Sequence, residues 1–343
     1  MTMPLGRALG LSLLVLAAFL ALSVVIGPVN IPPRAIWSVL AAKAGWIAET
    51  MPAPDTVSTI LLEIRLPRAV LLVLTGAALA GSGAGYQGLF RNPLADPYLI
   101  GVASGAGLGA VVAMSIRWPE DMAGLYVIPA AAFVGATLTV MLVYSVARIG
   151  KSLPTTTLIL AGVAISSFAT SLTSFLMLRS NEQLRRATGW LLGGSLMGGW
   201  QPVVALLPYI IIGLAALIAS GHALNVLQFG EEQASQMGLP AERVKFWLVL
   251  AASLTTASAV AFSGIIGFVG LIVPHLVRLI WGADYRRLLP LSIISGGSAL
   301  LAADLLARTV LAPQVLPVGV VTALAGAPFF LWVLRRAKNQ GYW

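Results

Sequence analysis

The sequence contains no cysteine and only two histidines among its 343 residues. A disulfide framework, a cysteine-ligated zinc site and thiol chemistry are therefore excluded, and two histidines alone do not make a metal site. Charged residues are also scarce, at 10% of the chain, whereas a soluble domain carries about 25%. With 58% apolar residues, the composition predicts an all-α membrane protein, because a soluble core would not hide this much apolar surface.

The few charges present are mostly positive, with 21 lysines and arginines against 12 acids and a net charge of +9. Such an excess could indicate nucleic acid binding. The basic residues are scattered between long apolar runs, however, as in the loops that flank membrane helices. We therefore expect the lipid bilayer as the partner of this chain, and no nucleic acid.

The length accommodates about ten membrane-crossing helices of about 20 residues each, in one bundle and one domain over 1–343. Charged and Pro/Gly-rich interruptions place the spans near 9–26, 64–86, 97–116, 123–147, 155–178, 202–220, 244–263, 265–281, 288–306 and 316–336. The apolar stretch 246–277 is too long for one crossing, and we expect it to break near Ser263, Gly264, Gly267 and Gly270. A weak similarity between the segments that begin at Val70 and Trp247 predicts inverted-repeat-like halves.

Orientation follows from the distribution of basic residues. Ten spans place both termini on one side, and Arg7 with Arg335 and Arg336 indicates that this side is the cytoplasm. Three arginines, Arg65, Arg68 and Arg308, then fall on the external side, against the usual bias.

Polar residues within the spans are few. His275 and Arg278 lie one helical turn apart, and a structural anchor is favoured over a proton relay because a second ionisable partner is missing. Asp304 and Arg308 have the spacing of a local ion pair. The absence of a chain of intramembrane acids disfavours an ion-coupled secondary transporter, and the absence of a nucleophile–base or metal constellation disfavours an embedded enzyme.

Two segments imitate nucleotide-binding motifs. Residues 83–88 match GxGxxG but lie inside a membrane helix without a preceding strand. Residues 145–152 differ by one position from a Walker A loop, but they follow a span and lack the first glycine. We expect no cofactor or metal in this chain.

Several longer motifs are more specific. The segments RLPR (65–68), GAALAGSG (76–83), QGLFRNPLADP (87–97), GVASGA (101–106), LAGVA (160–164), WLLGGS (190–195), GIIGFVGLIVPH (264–275) and PVGVVTA (317–323) strongly resemble the permease family of type II ABC importers for iron-siderophores, haem and cobalamin. The resemblance covers nearly the whole chain in order. It implies ten transmembrane helices per subunit, a second permease subunit, and two ATP-binding subunits that bind ATP and Mg. It also implies an external substrate-binding protein and residence in the bacterial cytoplasmic membrane.

The resemblance assigns a role to the external arginines. In the family, arginines at these positions receive glutamates from the substrate-binding protein, and the matching residues are Arg65, Arg68 and Arg308. Guanidinium groups suit this role because their planar fork binds carboxylates bidentately. Anchoring of helix ends at lipid headgroups is the alternative.

The same resemblance identifies the polar segment 221–245 as the loop that couples to the ATPase subunit. It contains several charged and amide side chains around a Met-Gly-Leu-Pro turn, which predicts one or two short helices at the cytoplasmic surface. The expected contacts with the ATPase are Glu231, Gln236, Gly238 and Leu239. An ordinary solvated loop is the alternative.

The remaining assignments concern the transport pathway. Asn92 and Leu94 match one part of the family's cytoplasmic gate, and Thr155 and Thr156 match the other. The helix that begins there is the expected pathway lining, through Ser166, Ser167, Thr170, Ser171, Thr173 and Ser174. Such an uncharged lining suits a siderophore, haem or a corrinoid alike, so the cargo stays open within this class.

Overall fold

The computed structural model describes residues 3–27, 29, 31–43, 55–116, 118, 122–150, 152–178, 181–194 and 198–338. These residues are helical or lie in turns, and no β-strand occurs among them. The helices are α1 (Leu5–Val25), α2 (Pro33–Lys43), α3 (Asp55–Thr59), α4 (Leu66–Leu89), α5 (Val102–Met114), α6 (Met122–Ala147), α7 (Thr155–Met177), α8 (Asn181–Leu191), α9 (Gln201–Ala219), α10 (Gly221–Leu227), α11 (Glu231–Gln236), α12 (Ala241–Ser263), α13 (Val269–Trp281), α14 (Tyr285–Thr309) and α15 (Val318–Lys338). A π-helical turn (Ile60–Arg65) precedes α4, and a 3-10 turn (Pro97–Ile100) precedes α5.

Local sequence explains where several helices begin. Pro154 and Pro240 directly precede α7 and α12, and Pro67 lies in the first turn of α4. Proline is tolerated there because the first N–H groups of a helix have no intrahelical acceptor. Asp284 caps α14, since its carboxylate accepts a hydrogen bond from the Arg286 backbone N–H at 3.0 Å.

Helix α4 lies at the centre of the bundle, and every residue from Gly76 to Leu89 is buried. It packs most extensively against α14, where Gly76 and Gly296 face each other. A side chain at either glycine would collide with the carbonyl oxygen of the other. The two backbones therefore approach as closely as in other small-residue helix pairs of membrane proteins.

A second close crossing joins α5 to α6. Gly105 and Gly109 face the backbone of Gly135 and Ala131, so neither position has room for a side chain. The two glycines of α5 are four residues apart and therefore lie on one face of the helix, which lets the two backbones approach closely.

Six helices combine the length and the apolar composition needed to cross a membrane: α1, α6 from Tyr126, α7, α9, α12 and α14. Three shorter apolar helices (α5, α13 and part of α15) and the buried α4 coincide with the other predicted spans. A multi-pass membrane protein is thus confirmed, whereas the count of ten spans and the inverted-repeat relation stay predictions. The expected break in 246–277 is confirmed, since α12 ends at Ser263 and α13 begins at Val269.

The predicted anchor at Arg278 has a clear partner. Its Nη2 donates a hydrogen bond to the Tyr285 hydroxyl at 2.9 Å, and the guanidinium lies over the Tyr285 ring, 5.7 Å from its centroid. This contact joins α13 to the first turn of α14 and favours the anchor over a proton relay.

Candidate functional site

The candidate functional site has three parts: the arginine cluster Arg65, Arg68 and Arg308, the turns that begin α5 and α7, and the short helices α10 and α11. In the first part, the Arg65 guanidinium points into the protein, and only 5% of the residue is exposed. Its Nη1 donates to the carbonyl oxygens of Val24 at 2.8 Å and Val25 at 2.9 Å, and its Nη2 donates to that of Val29.

Arg308 approaches the same end of α1 from α14. Its Nη2 donates to Ser23 Oγ at 2.8 Å, and its Nη1 donates to the Ile26 carbonyl at 3.1 Å. Its Nε lies 2.8 Å from Asp304 Oδ2, which confirms the predicted ion pair. Asp304 is fully buried and has a second partner, because Arg68 Nη2 lies 2.7 Å from its Oδ1.

These contacts give the cluster a structural role. The last carbonyl groups of a helix carry partial negative charge and lack intrahelical donors, so cations near them are stabilising. Arg65 and Arg308 supply such donors to α1 and tie it to α4 and α14. Arg68 is the most exposed of the three, with 36% of its side chain accessible. The docking role of the three arginines stays a prediction.

The second part begins with the turn that follows α4. Asn92 Oδ1 accepts from the Leu94 N–H at 2.9 Å, and Asp96 Oδ1 accepts from the Tyr98 N–H at 2.8 Å. Two successive side-chain-to-backbone turns of this kind fix the loop without regular secondary structure. Burial raises the pKa of Asp96 to about 6, although the Tyr98 N–H opposes this shift. The loop is thus compact and holds Asn92 and Leu94, both half-buried.

The predicted gate threonines open α7. Thr155 is half-buried and Thr156 is exposed. The neighbouring Thr157 Oγ1 donates to the Ala147 carbonyl at 3.0 Å, which ties this helix start to the end of α6. Further along α7, a side chain at Gly162 would collide with the carbonyl oxygen of Leu99, so α7 packs directly on the 3-10 turn. Helix α7 therefore packs on the turn that follows the segment 92–94, and the gate role of both segments stays a prediction.

The predicted pathway-lining residues do not all share one face of α7. Thr170, Ser167, Ser171 and Ser174 are exposed, whereas Ser166 is half-buried and Thr173 is buried. Ser167, Ser171 and Ser174 each donate to the carbonyl four residues earlier, at 2.8 to 2.9 Å. Their protons are thus used within the helix, and the oxygen lone pairs face outward. The exposed face also carries large apolar side chains, among them Phe168 and Phe175.

The third part is the segment 221–245, which forms α10, α11 and the start of α12, as predicted. Glu231 opens α11, and its carboxylate pairs with Lys245 rather than pointing only to solvent. Gln236 is exposed at the end of α11, and Leu239 is half-buried. Gly238 has φ +86°, and this left-handed conformation ends the helix as glycine commonly does. The ATPase-coupling role of these residues stays a prediction.

A break between α12 and α13 is stabilised by residues that the sequence did not single out. The Tyr98 hydroxyl accepts from the Ile266 N–H at 3.2 Å and donates to the Ile266 carbonyl at 2.9 Å. Gln87 Nε2 lies 3.4 Å from the Gly270 carbonyl, which lacks its usual helical donor because Pro274 has no N–H. Buried backbone groups of a broken membrane helix need such partners.

Sequence reasoning also missed Lys245, Glu242 and Leu153. Lys245 is the last residue of the polar segment and lies three residues after Glu242, and this i,i+3 spacing of opposite charges is the signal that could have identified the pair. The three residues form a cluster with Glu231, in which Lys245 and Leu153 are buried and the two glutamates are partly exposed. Among the described residues, no group of three or more His, Cys, Asp or Glu side chains is arranged to hold a metal ion.

Comparison with known proteins assigns the chain to a family. Residues 13–336 match the model of the FecCD transport family. The chain is 47% identical over 282 residues to the cobalamin import system permease protein of Halobacterium salinarum, covering 82% of this chain and 75% of that one. It is 38% identical over 336 residues to the hemin transport system permease protein of Yersinia pestis, covering 96% and 95%.

A solved structure has the same fold. An inward-facing metal-chelate type ABC transporter superposes with a TM-score of 0.79 at 28% identity, and the match covers 97% of this chain and 99% of that one. The family match spans all three parts of the candidate site. The chain therefore belongs to the FecCD transport family and is a membrane permease subunit of an ABC importer.

Proposed function

We propose that this protein forms the cargo pathway of an importer for a metal chelate, haem or a corrinoid. The observation that carries this proposal is the match over nearly the whole chain to permeases named for cobalamin and hemin transport. Cargo of this class is bulky and is presented as a complex, so its passage needs a wide, weakly binding surface instead of a dedicated metal site.

The exposed face of α7 supports such a pathway. The helix carries no charged residue from Thr155 to Met177 and exposes hydroxyl oxygens between aromatic and aliphatic side chains. Hydroxyls that already donate to their own helix backbone bind a passing solute weakly, which favours release. The wall would be completed by a second copy of the chain, with α7 of each subunit facing the cargo.

Energy would come from partner subunits. Two ATP-binding subunits would bind ATP and Mg and would contact α10 and α11, so this chain itself is a transport subunit and not an enzyme. The exposed Gln236 and Gly238 are the most accessible of the predicted contacts there. Nucleotide binding would then favour one orientation of the pathway, because a ligand shifts a conformational equilibrium only by its differential affinity.

The substrate-binding protein would dock at the end of the bundle that carries the arginine cluster. Arg68 supports this assignment best, because its side chain is partly exposed while it also pairs with Asp304. Arg65 and Arg308 would fix the end of α1 against α4 and α14, next to Arg68. This arrangement fits a protein of the bacterial cytoplasmic membrane that has both termini in the cytoplasm and the arginine cluster on the external side.

Uptake by proteoliposomes tests the function. The permease reconstituted with its ATPase subunit and its binding protein should accumulate radiolabelled cargo only when ATP is enclosed on the ATPase side. Omission of the ATPase subunit or of Mg is the control. Uptake driven by a proton or sodium gradient without ATP would contradict the proposal and restore the ion-coupled alternative.

Docking is tested by charge reversal. Arg68→Glu should weaken association with the binding protein, mainly through a slower association rate that depends on salt, because rim charges steer encounter. The matched control is Lys43→Glu, at an exposed lysine that ends α2. Surface plasmon resonance on nanodisc-embedded complexes measures both. Equal association rates for the two variants would argue against docking through Arg68.

A further inference from the structure

Lys245 is a buried lysine at the base of α12, with 2% of its side chain exposed. Its ammonium nitrogen lies 2.7 Å from Glu231 Oε2, 2.6 Å from Glu242 Oε1 and 3.0 Å from the carbonyl oxygen of Leu153. The ammonium group donates hydrogen bonds to Glu231 and to Leu153, and the Glu242 carboxylate adds an ion pair. The free-energy cost of removing the Lys245 ammonium group from water is therefore offset by two carboxylates and one carbonyl.

The three acceptors belong to three different segments. Glu231 is the first residue of α11, and Glu242 lies in the first turn of α12. Leu153 belongs to the turn between α6 and α7, two residues before Thr155. Glu242 binds this turn a second time, because its Oε2 accepts from the Leu153 N–H at 3.1 Å. Both polar backbone groups of Leu153 are thus held by the Lys245 cluster.

A second contact ties the same region to the other gate turn. Gln228, between α10 and α11, donates from Nε2 to the Gly88 carbonyl at 2.9 Å. Gly88 lies in the last turn of α4, shortly before Asn92. The polar segment is therefore hydrogen-bonded to the end of α4, close to Asn92, and α11 is linked through Lys245 to Leu153, close to Thr155.

The Lys245 cluster is the charged one of the two connections, with a buried ammonium group and two partly exposed carboxylates. Hydrogen bonds between ionised partners are stronger than neutral ones, and separating a buried cation from its partners leaves an uncompensated charge. Leu153 is itself buried, so it cannot move freely relative to the cluster. A displacement of α11 would consequently displace the start of α7 instead of stretching the contact.

We propose that Lys245 is a positioning residue that transmits movement of α11 to the start of α7, and so links the nucleotide cycle to the cytoplasmic gate. This inference rests on the proposed function, because it takes α11 as the contact with the ATPase. It assigns Glu231 an inward role as the partner of Lys245, in addition to any contact with the ATPase. Glu242 is the second positioning residue, since it holds Leu153 and Lys245 together.

The experiment uses the absence of cysteine. Thr156→Cys introduces a unique, exposed thiol at the start of α7, and an environment-sensitive fluorophore there reports the gate in the assembled complex with its ATPase subunits. Lys245→Met removes the charge while keeping a long side chain, and Lys245→Arg restores a cation. Glu231→Gln weakens the contact with α11 at a predicted ATPase contact, whereas Glu242→Gln weakens the hold on Lys245 and Leu153 at a residue outside the predicted ATPase contacts. Lys43→Met and Glu232→Gln are the matched controls, at exposed positions.

In the Thr156→Cys background, ATP should change the fluorescence of the labelled protein. Lys245→Met and Glu231→Gln should lose most of this change. In the cysteine-free protein with Thr156 intact, the same variants should transport at least about fivefold less cargo per ATP hydrolysed, the lower end of typical coupling between sites. ATP hydrolysis itself should persist, and Lys245→Arg should recover part of the signal. The double variant should be no worse than Lys245→Met alone, because both changes break one connection.

Different outcomes would overturn different claims. A normal ATP-dependent signal and a normal transport-to-hydrolysis ratio in Glu231→Gln and Lys245→Met would refute the transmission role. If Lys245→Met does not assemble, Glu242→Gln decides the question, because Glu242 is outside the predicted ATPase contacts and Lys245 then keeps Glu231 and Leu153. A normal signal and ratio in Glu242→Gln would refute the transmission role. Loss of signal in the Glu232→Gln control as well would also refute the specific role of Lys245. Failure of the unmodified complex to take up cargo with ATP would instead refute the proposed function.

Discussion

Replacing Arg308 by methionine should destabilise the protein strongly, even though the residue lies at the end of a helix. Arg308 donates to Ser23 and Ile26 at the end of α1 and pairs with Asp304, which is fully buried. Methionine fills similar space but leaves Asp304 with Arg68 as its remaining partner. Removing one member of a buried ion pair typically costs about 3–5 kcal/mol. We expect about 3 kcal/mol, since Arg68 still compensates part of the charge.

The assay is unfolding by SDS titration from mixed micelles, followed by tryptophan fluorescence. The nine tryptophans report global unfolding, and one of them, Trp200, donates from Nε1 to the Leu62 carbonyl, close in sequence to Arg65. Arg286→Met is the matched control. Arg286 forms an exposed ion pair with Asp284, so this variant should have an unfolding midpoint close to that of the wild type. In a double variant, Asp304→Asn should recover part of the loss, because the buried carboxylate that only Arg68 still compensates is removed.

The result that would refute this reasoning is an unfolding midpoint of Arg308→Met equal to that of Arg286→Met. Arg308 would then make no net contribution to holding α1. Loss of stability with unchanged binding-protein affinity would separate the structural role from the docking role. Loss of affinity at unchanged stability would favour docking alone.

Three further predictions concern packing, titration and the helix break. Gly296→Ala should lower the free energy of unfolding in SDS titration by about 1–3 kcal/mol, because its Cβ would overlap the α4 backbone. The control is Gly10→Ala, where a Cβ meets nothing within 4 Å and which should stabilise the protein by up to about 1 kcal/mol. Equal effects of the two substitutions would contradict the close crossing of α4 and α14. The pKa of Asp96 is raised to about 6, so its contribution to the free energy of unfolding is greatest at low pH and decreases as pH rises from about 4 through about 6. Asp96→Asn should flatten this part of the pH profile of thermal unfolding, and an unchanged profile would refute the assignment. Tyr98→Phe removes the hydroxyl that binds the Ile266 N–H and carbonyl, so the free energy of unfolding should fall by about 1–3 kcal/mol. Amide hydrogen exchange at 264–268 should also become faster. Exchange equal to wild type would contradict this role.

Much of the architecture was predictable from sequence, because local composition and spacing determine it. Long apolar runs specify membrane helices, and the glycines around 264 specify where one of them breaks. The Met-Gly-Leu-Pro turn similarly marks the end of α11, since Gly238 adopts a left-handed conformation that other residues avoid. The i,i+4 spacing of Asp304 and Arg308 was sufficient to predict their ion pair.

The partners of individual side chains were decided only by the tertiary structure. Arg65 and Arg308 appear in the sequence as external cations, yet their guanidinium groups point inward to carbonyls at the end of α1. Thr173 appears in the sequence with the other hydroxyls of α7, but the packing of α7 against neighbouring helices buries it. The face that a helix buries depends on neighbours distant in the chain, which periodicity alone does not identify.

The Lys245 cluster illustrates this division most clearly. The sequence determined that a polar segment interrupts the apolar spans and that Lys245 stands at its end. Only the packing of α11, α12 and the α6–α7 turn brings Glu231 and Leu153 to the ammonium group, across 14 and 92 residues of chain. A buried cation requires acceptors on all sides, and the tertiary structure supplies them from segments that the sequence keeps apart.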